Sequence, residues 1–269
     1  MRSIAAIIKL ILFVLTIIIL APFQILILLL RIKPLTHTIP FLFHNIVRTI
    51  FNIHVQKRGV MLRKGQLMYL SNHISYLDII VMGAVIPGAS FVAKSEVKKW
   101  PLFGQLADLQ QTFFIDRSPT KARAEIAKLK QYSRHGFHLI IFPEGTSTDG
   151  SDVTPFKTGM FGLLFPHESD GNERPPNLDL KLQLITLKVL KIEGQDAAKS
   201  QALRDRYAWH GDMTLVPHIW AVAKTWRIDL GMIFHPSINH EGFASRNELA
   251  QHCENIVRTS LKEPWLAKQ

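Results

Sequence analysis

The feature that most limits what this chain can become is a run of 21 residues without a charge, LILFVLTIIILAPFQILILLL, from Leu10 to Leu30. As a helix it would extend about 30 Å at about 1.5 Å per residue, the thickness of a bilayer's hydrocarbon. The run is long for a signal peptide, no small-x-small cleavage site follows it, and RIKP closes it with basic charge, so the segment is expected to be retained as a membrane anchor. Pro22 permits a kink and both flanks are basic, so crossing and re-entering both stay open. The next apolar stretch, IPFLFHNIVRTIFNI from Ile39 to Ile53, is too short and too interrupted to span. It is expected to form an interfacial helix or a partner to the first helix.

Charge is placed to match. The chain has 32 Lys+Arg against 21 Asp+Glu, a formal +11, and nine of the basic residues precede Asp78, which is the first acidic residue of all. A basic excess gathered around an apolar segment favours an anionic membrane surface, with a merely solvated basic surface as the plainer alternative. Nucleic acid is set aside, because no recognisable module interleaves the basic residues with aromatics. The single Cys253 excludes an intramolecular disulfide. Its helical spacing with Leu249, Ile256 and Val257 reads as a buried thiol rather than a nucleophile.

From about Gln66 the pattern changes to short β-rich runs separated by helical ones, and LMYL, SFVAK, QTFFID, FHLIIF, LQLITLKVL and RIDLGMIF read as strands. The spacing predicts a helix over residues 118–132, with Ser118 as N-cap, Pro119 in the first turn and Ala122, Ile126 and Leu129 on one face. Ser245 and Glu248 form a capping-box pattern before a closing helix, and HESDGNERPPN, residues 167–177, reads as a surface loop. The expected division is residues 1–60 as anchoring helices and 61–269 as one α/β domain, a mixed sheet flanked by helices.

Within SNHISYLD, residues 71–78, His73 and Asp78 stand five apart. On an uninterrupted helix that spacing turns them about 140° away from each other, so they can meet only across a strand-to-helix turn. There the carboxylate would accept a proton from one imidazole nitrogen and leave the other free as a base. The octapeptide alone fits equally well an Asn-His turn followed by a helix-capping aspartate.

Three further stretches place polar groups just after apolar strands, where open α/β sheets build their sites: FVAKSE with Lys94, TFFIDR with Asp116-Arg117, and IIFPEGTSTDG with Glu144 at its tip. Together and in this order, the four stretches resemble the glycerolipid acyltransferases of the lysophosphatidate acyltransferase family over roughly residues 66–165. The resemblance implies that His73 is the base that deprotonates a lysolipid hydroxyl and that Asp78 orients its ring. The hydroxyl then attacks an acyl thioester on coenzyme A or acyl carrier protein. It also implies that Arg117 engages the acceptor headgroup and that Glu144, Gly145 and Thr146 shape the acceptor pocket. Lys94 matches a lysine near the reaction centre, where it could stabilise an oxyanion. No cofactor is expected beyond the acyl thioester co-substrate. No metal is expected either, since none of the twelve histidines has His-Glu-x-x-His spacing.

One position departs from the family: the arginine that often follows F-P-E-G-T is here Ser147. The expected activity is 1-acylglycerol-3-phosphate O-acyltransferase, forming phosphatidate at a bacterial inner membrane with the active site on the cytoplasmic side. The runner-up acceptor is lyso-ornithine lipid or another lysolipid, because AWHGDMTLVPHIW, residues 208–220, looks like a segment of the branch that includes lyso-ornithine lipid acyltransferases. A membrane-anchored lipid-binding protein with a silent site is the non-enzyme alternative.

Overall fold

A computed structural model of the chain describes residues 1–116, 138–165 and 180–265. The helix expected over 118–132 and the loop at 167–177 lie outside these described residues, as does Arg117.

The chain begins with α1 (Arg2–Leu29) and α2 (Thr38–Ile50) and passes directly into β1 (Ile53–Arg58). Then come β2 (Gln66–Ser71), α3 (Leu77–Val85), β3 (Ala89–Lys94), α4 (Phe103–Leu109), β4 (Phe113–Ile115) and β5 (His138–Ile141). The last part holds β6 (Leu180–Ile192), β7 (Gln195–Asp196), the single turn α5 (Gln201–Arg204), α6 (Leu215–Lys224), β8 (Ile228–Ile238) and α7 (Arg246–Lys262). All six strands expected from the sequence are present, in one mixed sheet of order β1-β8-β6-β2-β5-β3-β4, with β7 paired to β6.

The central strand β2 is a continuous buried run because both faces of the sheet are covered. Alternation divides it: Leu67 and Tyr69 face a core shared with α1, α2, α3 and α6, and Met68 and Leu70 face one built from α7 and residues 153–164. On α7, Leu249, Cys253 and Val257 make the buried stripe, and burial pushes the Cys253 thiol up to about 12, which keeps it protonated. The helix start differs slightly from a full capping box. Ser245 Oγ accepts from Glu248 N at 3.2 Å, but the Glu248 carboxylate reaches back to Ala244 N, at 2.8 Å.

Residues 53–58, grouped by sequence with the anchoring helices, are an edge strand, parallel to β8 from Ile53 opposite Ile228 to Arg58 opposite Ile233. The α/β fold therefore starts before residue 60. IHVQKR is short and basic, and the partner that makes it a strand is about 175 residues away, so its alternation carried little local signal.

Helix α1 is apolar and long enough to cross a membrane. It nevertheless has a domain-facing stripe. Ala6, Leu10 and Phe13 join the core, Lys9 Nζ donates to Thr225 O at 2.7 Å, and Gln24 Nε2 donates to Thr36 O and Leu109 O at 2.9 and 2.8 Å. Arg2 pairs with Glu193 at 3.2 Å. These contacts fall at helical spacing over 22 residues, about 33 Å of axis, so α1 runs alongside the domain instead of standing away from it. Helix α2 packs between α1 and α3, so close to α3 that a Cβ on Gly83 would lie 2.3 Å from the buried His44 ring.

Candidate active site

Strands β2, β3, β4 and β5 are mutually parallel, so their C-terminal ends share one edge of the sheet, where the loops at 72–76, 95–102, 116 and 142–150 emerge. Loops at that edge are where open parallel sheets place ligands. The motifs that were separate in the sequence are thus brought to one side.

Where β2 ends, Asn72 extends the ladder with its side chain: Nδ2 donates to Leu187 O at 2.9 Å and Oδ1 accepts from Leu187 N at 2.8 Å. A backbone amide pair is imitated by a side-chain amide, which lets the chain leave the sheet at a fixed point and swing His73 out. Asp78, in the first turn of α3, then closes the turn. Its Oδ2 meets His73 Nδ1 at 2.8 Å and also accepts from Ile74 N at 2.7 Å and Ser75 N at 3.0 Å. The two readings left open for the octapeptide are one structure, since the carboxylate that ties the turn is the carboxylate that holds the imidazole.

Asp78 is fully buried, while the His73 side chain keeps 21 % of its surface exposed. Phe142, just after β5, stacks on the imidazole at 4.2 Å between centroids and 18° between planes, with Phe91 parallel behind it. The ring is therefore fixed by a hydrogen bond at Nδ1 and an aromatic face. No described residue bonds Nε2, the nitrogen left for a substrate proton.

The second motif supports the first. Pro143 and Glu144 occupy the centre of a turn closed by Gly145 N to Phe142 O at 3.1 Å, with Gly145 at φ 70°, a conformation that suits glycine. Glu144 points inward and is 1 % exposed. Its Oε1 accepts from His73 N at 2.7 Å, and its Oε2 accepts from Thr154 N and Thr154 Oγ1 at 2.8 and 3.0 Å. Burial raises the Glu144 pKa, and the bonds from His73 and Thr154 pull against that rise. Both carboxylate oxygens are committed inside the protein, so Glu144 shapes the site by holding the His73 main chain. Thr148 completes the clamp, donating from its N to His73 O at 2.9 Å.

Of the other expected site residues, Thr146 is exposed at the tip of the loop, and Lys94 is exposed at the end of β3, opposite Ile115 of β4. The structure also adds residues that the four motifs did not mark. Tyr207 Oη donates to Asp78 Oδ1 at 2.7 Å, Trp209 N donates to Ile74 O at 2.9 Å, and Ser147 Oγ donates to Trp209 O at 2.5 Å. Tyr76 packs edge-on against Trp209 and has its hydroxyl 3.1 Å from His218 Nδ1. Of these, Trp209 and His218 lie within AWHGDMTLVPHIW, residues 208–220, which begins 135 residues beyond His73, while Tyr207 stands just before that segment and carried no sequence signal.

A family model described as Acyltransferase matches residues 52–167. The chain is 31 % identical over 251 residues to the lyso-ornithine lipid O-acyltransferase of Brucella abortus, covering 93 % of this chain and 91 % of that one. It is 36 % identical over 193 residues to the enzyme of the same description from Rhodobacter capsulatus, covering 71 % and 64 %. It is 34 % identical over 189 residues to the 1-acyl-sn-glycerol-3-phosphate acyltransferase of Neisseria meningitidis, covering 70 % and 68 %. The fold matches the crystal structure of the 1-acyl-sn-glycerophosphate acyltransferase PlsC from Thermotoga maritima, with a TM-score of 0.64 at 18 % identity over 99 % of this chain and all of that one. With its apolar helix beside a mixed sheet and a histidine-aspartate pair at the sheet's edge, this membrane-associated chain belongs to the glycerolipid acyltransferase family, as a lysolipid acyltransferase.

Proposed function

We propose that the protein transfers a fatty acyl group from an acyl thioester, on coenzyme A or acyl carrier protein, to the free hydroxyl of lyso-ornithine lipid. The observation that carries the acceptor is the extent of likeness to lyso-ornithine lipid acyltransferases, which runs through nearly the whole chain and includes the segment after residue 200. Position 147 supports it. The Ser147 hydroxyl is engaged with Trp209 O, so the place that often holds an arginine fastens two loops and offers no charge to a phosphate dianion.

In this reading His73 Nε2 takes the proton from the lysolipid hydroxyl as its oxygen attacks the thioester carbonyl. Asp78 holds the ring and balances the imidazolium charge. The C–O bond forms, the tetrahedral intermediate collapses with cleavage of C–S, and the imidazolium proton goes to the departing sulfur. No acyl-enzyme is needed. Lys94 would stabilise the oxyanion and Arg117 would meet the carboxylate of the headgroup. The outward face of α1 lies in the bilayer, with the site on the cytoplasmic side, where acyl thioesters are made.

A second reading, 1-acylglycerol-3-phosphate as acceptor, is favoured by the likeness to the Neisseria meningitidis enzyme and by the order of the four motifs. The test is a panel of lysolipids offered to purified protein with one acyl donor, read by lipid mass spectrometry. Acylation of lyso-ornithine lipid in preference to lysophosphatidate is expected, and Ser147→Arg should depress it by setting a cation beside the ornithine amine. Exclusive use of lysophosphatidate would overturn the acceptor while leaving the roles of His73 and Asp78 intact.

A further inference from the structure

The two oxygens of Asp78 are served by different parts of the chain. Oδ2 is bonded within the local turn, by His73 Nδ1, Ile74 N and Ser75 N. Oδ1 is reached, among the described residues, by Tyr207 alone. That tyrosine lies 129 positions beyond Asp78 and 40 beyond the end of the family-model match, between α5 and α6. It is completely buried. Burial, and then the Asp78 charge, raise its pKa far above the ordinary phenol value, so it remains an O–H donor at any working pH.

The placement of Tyr207 is secured from both sides. Tyr207 N and Ala208 N both donate to Arg204 O at 2.8 Å, and Arg204 in turn holds Asp149 of the Glu144 loop at 2.8 Å. Two residues on, Trp209 bonds Ile74 through its N and Ser147 through its O. The segment from Arg204 to Trp209 is thereby tied to the His73 turn and to the Glu144 loop, with the phenol aimed at the carboxylate between them. A buried carboxylate oxygen without a donor is costly, so simple satisfaction would account for some donor here. It does not account for a side chain brought from so far and aimed at the oxygen that the local turn leaves open.

We propose that Tyr207 is a positioning residue for acyl transfer: its hydroxyl fixes the rotation of Asp78 and draws charge from it, and so sets how strongly Asp78 holds the proton that His73 takes from the substrate. The inference rests on His73 acting as the base. Among the described residues, the titratable groups that face the pair are Glu144, bonded to the His73 main chain, Tyr207 itself, and Tyr76 beside Tyr207.

The sign of the effect follows. Without the phenol, more negative charge stays on Asp78, the imidazolium is held more tightly, and a higher pH is needed to free the base. The experiment uses the full chain in detergent micelles, with acyl-CoA and whichever lysolipid the wild type accepts. Tyr207→Phe should lower kcat about tenfold with KM for both substrates nearly unchanged. The acid limb of its pH–rate profile should move up by roughly half a pH unit. Replacing Tyr207 with 3-fluorotyrosine, nearly the same size but a stronger donor, should move that limb down, and it serves where Tyr207→Phe does not fold. NMR titration of the His73 ring reads the same coupling without turnover. A His73 titration and an acid limb that both stay put in folded Tyr207→Phe and fluorotyrosine proteins would overturn the proposal. If the ring titration moves and the rate profile does not follow, the coupling stands and the assignment of His73 as base fails.

Discussion

Two regions of this protein break the usual rule of burial in opposite directions. In the first turn of α3 and just after β5, Asp78 and Glu144 are carboxylates with 0 % and 1 % exposure, while on α1 the residues Ile4, Ile11 and Ile18 are 64 %, 53 % and 61 % exposed. A buried polar group and an exposed apolar stretch are the informative exceptions in any fold, because each needs a compensating surrounding. For the carboxylates the surrounding is inside the protein, in six donors from main chain and side chains and one imidazole. For α1, long and apolar enough to cross a membrane, the surrounding that fits its exposed face is lipid. Chemistry is therefore set by contacts the chain makes with itself, and location by contacts it leaves unmade.

The strongest way to break this comparison is at the histidine. His73→Ala should reduce turnover by on the order of 10² to 10⁴, the usual contribution of a general base, without moving the thermal midpoint, because the ring is one acceptor's partner among several at Asp78. Steady-state kinetics and calorimetry on one preparation check it, and turnover within twofold of wild type in a folded variant would remove the mechanism.

The next effect is on the seam between the two regions. Burial lowers the His44 pKa from 6.5 to about 4. The folded state then binds fewer protons than the unfolded one between those values, so stability is held above about pH 6.5 and lost as pH falls towards 4. The loss should reach about 3 kcal/mol, and chemical denaturation of His44→Leu across that range should show a slope shallower by about one proton. An unchanged slope would mean that His44 is protonated inside the fold.

On the lipid side, Ile18→Asp on the exposed face of α1 should weaken vesicle binding by roughly 2–3 kcal/mol while leaving turnover in detergent near wild type. Deleting residues 1–31 is the blunter test, because it would also uncover the core that Ala6 and Phe13 complete. A charged substitution that leaves vesicle binding untouched would move the membrane contact elsewhere. The smallest expected effect joins the two loops of the site. Ser147→Ala removes one hydrogen bond and should lower stability by about 1 kcal/mol in thermal unfolding. A Tm that does not fall would show that Trp209 is held by its backbone bond to Ile74 alone.

Amino-acid order alone marked the long apolar helix and the six strands around the motifs, and it showed that His73 and Asp78 could meet only across a turn. A charge-free run, a two-residue alternation and a five-residue spacing are all local patterns, set by chain geometry within one or two turns of an element. It did not determine that residues 53–58 join the sheet, since an edge strand is defined by its partner in β8. It left Glu144 as a candidate pocket residue, because the direction in which a loop carboxylate points depends on where His73 and Thr154 bring their N–H groups. Nor did it find Tyr207, and only the tertiary structure decided that. A hydrogen bond between residues 78 and 207 leaves no periodicity in sequence, because it is created when the crossover from β6 to α6 folds back over the edge of the sheet and one buried oxygen of Asp78 requires a donor.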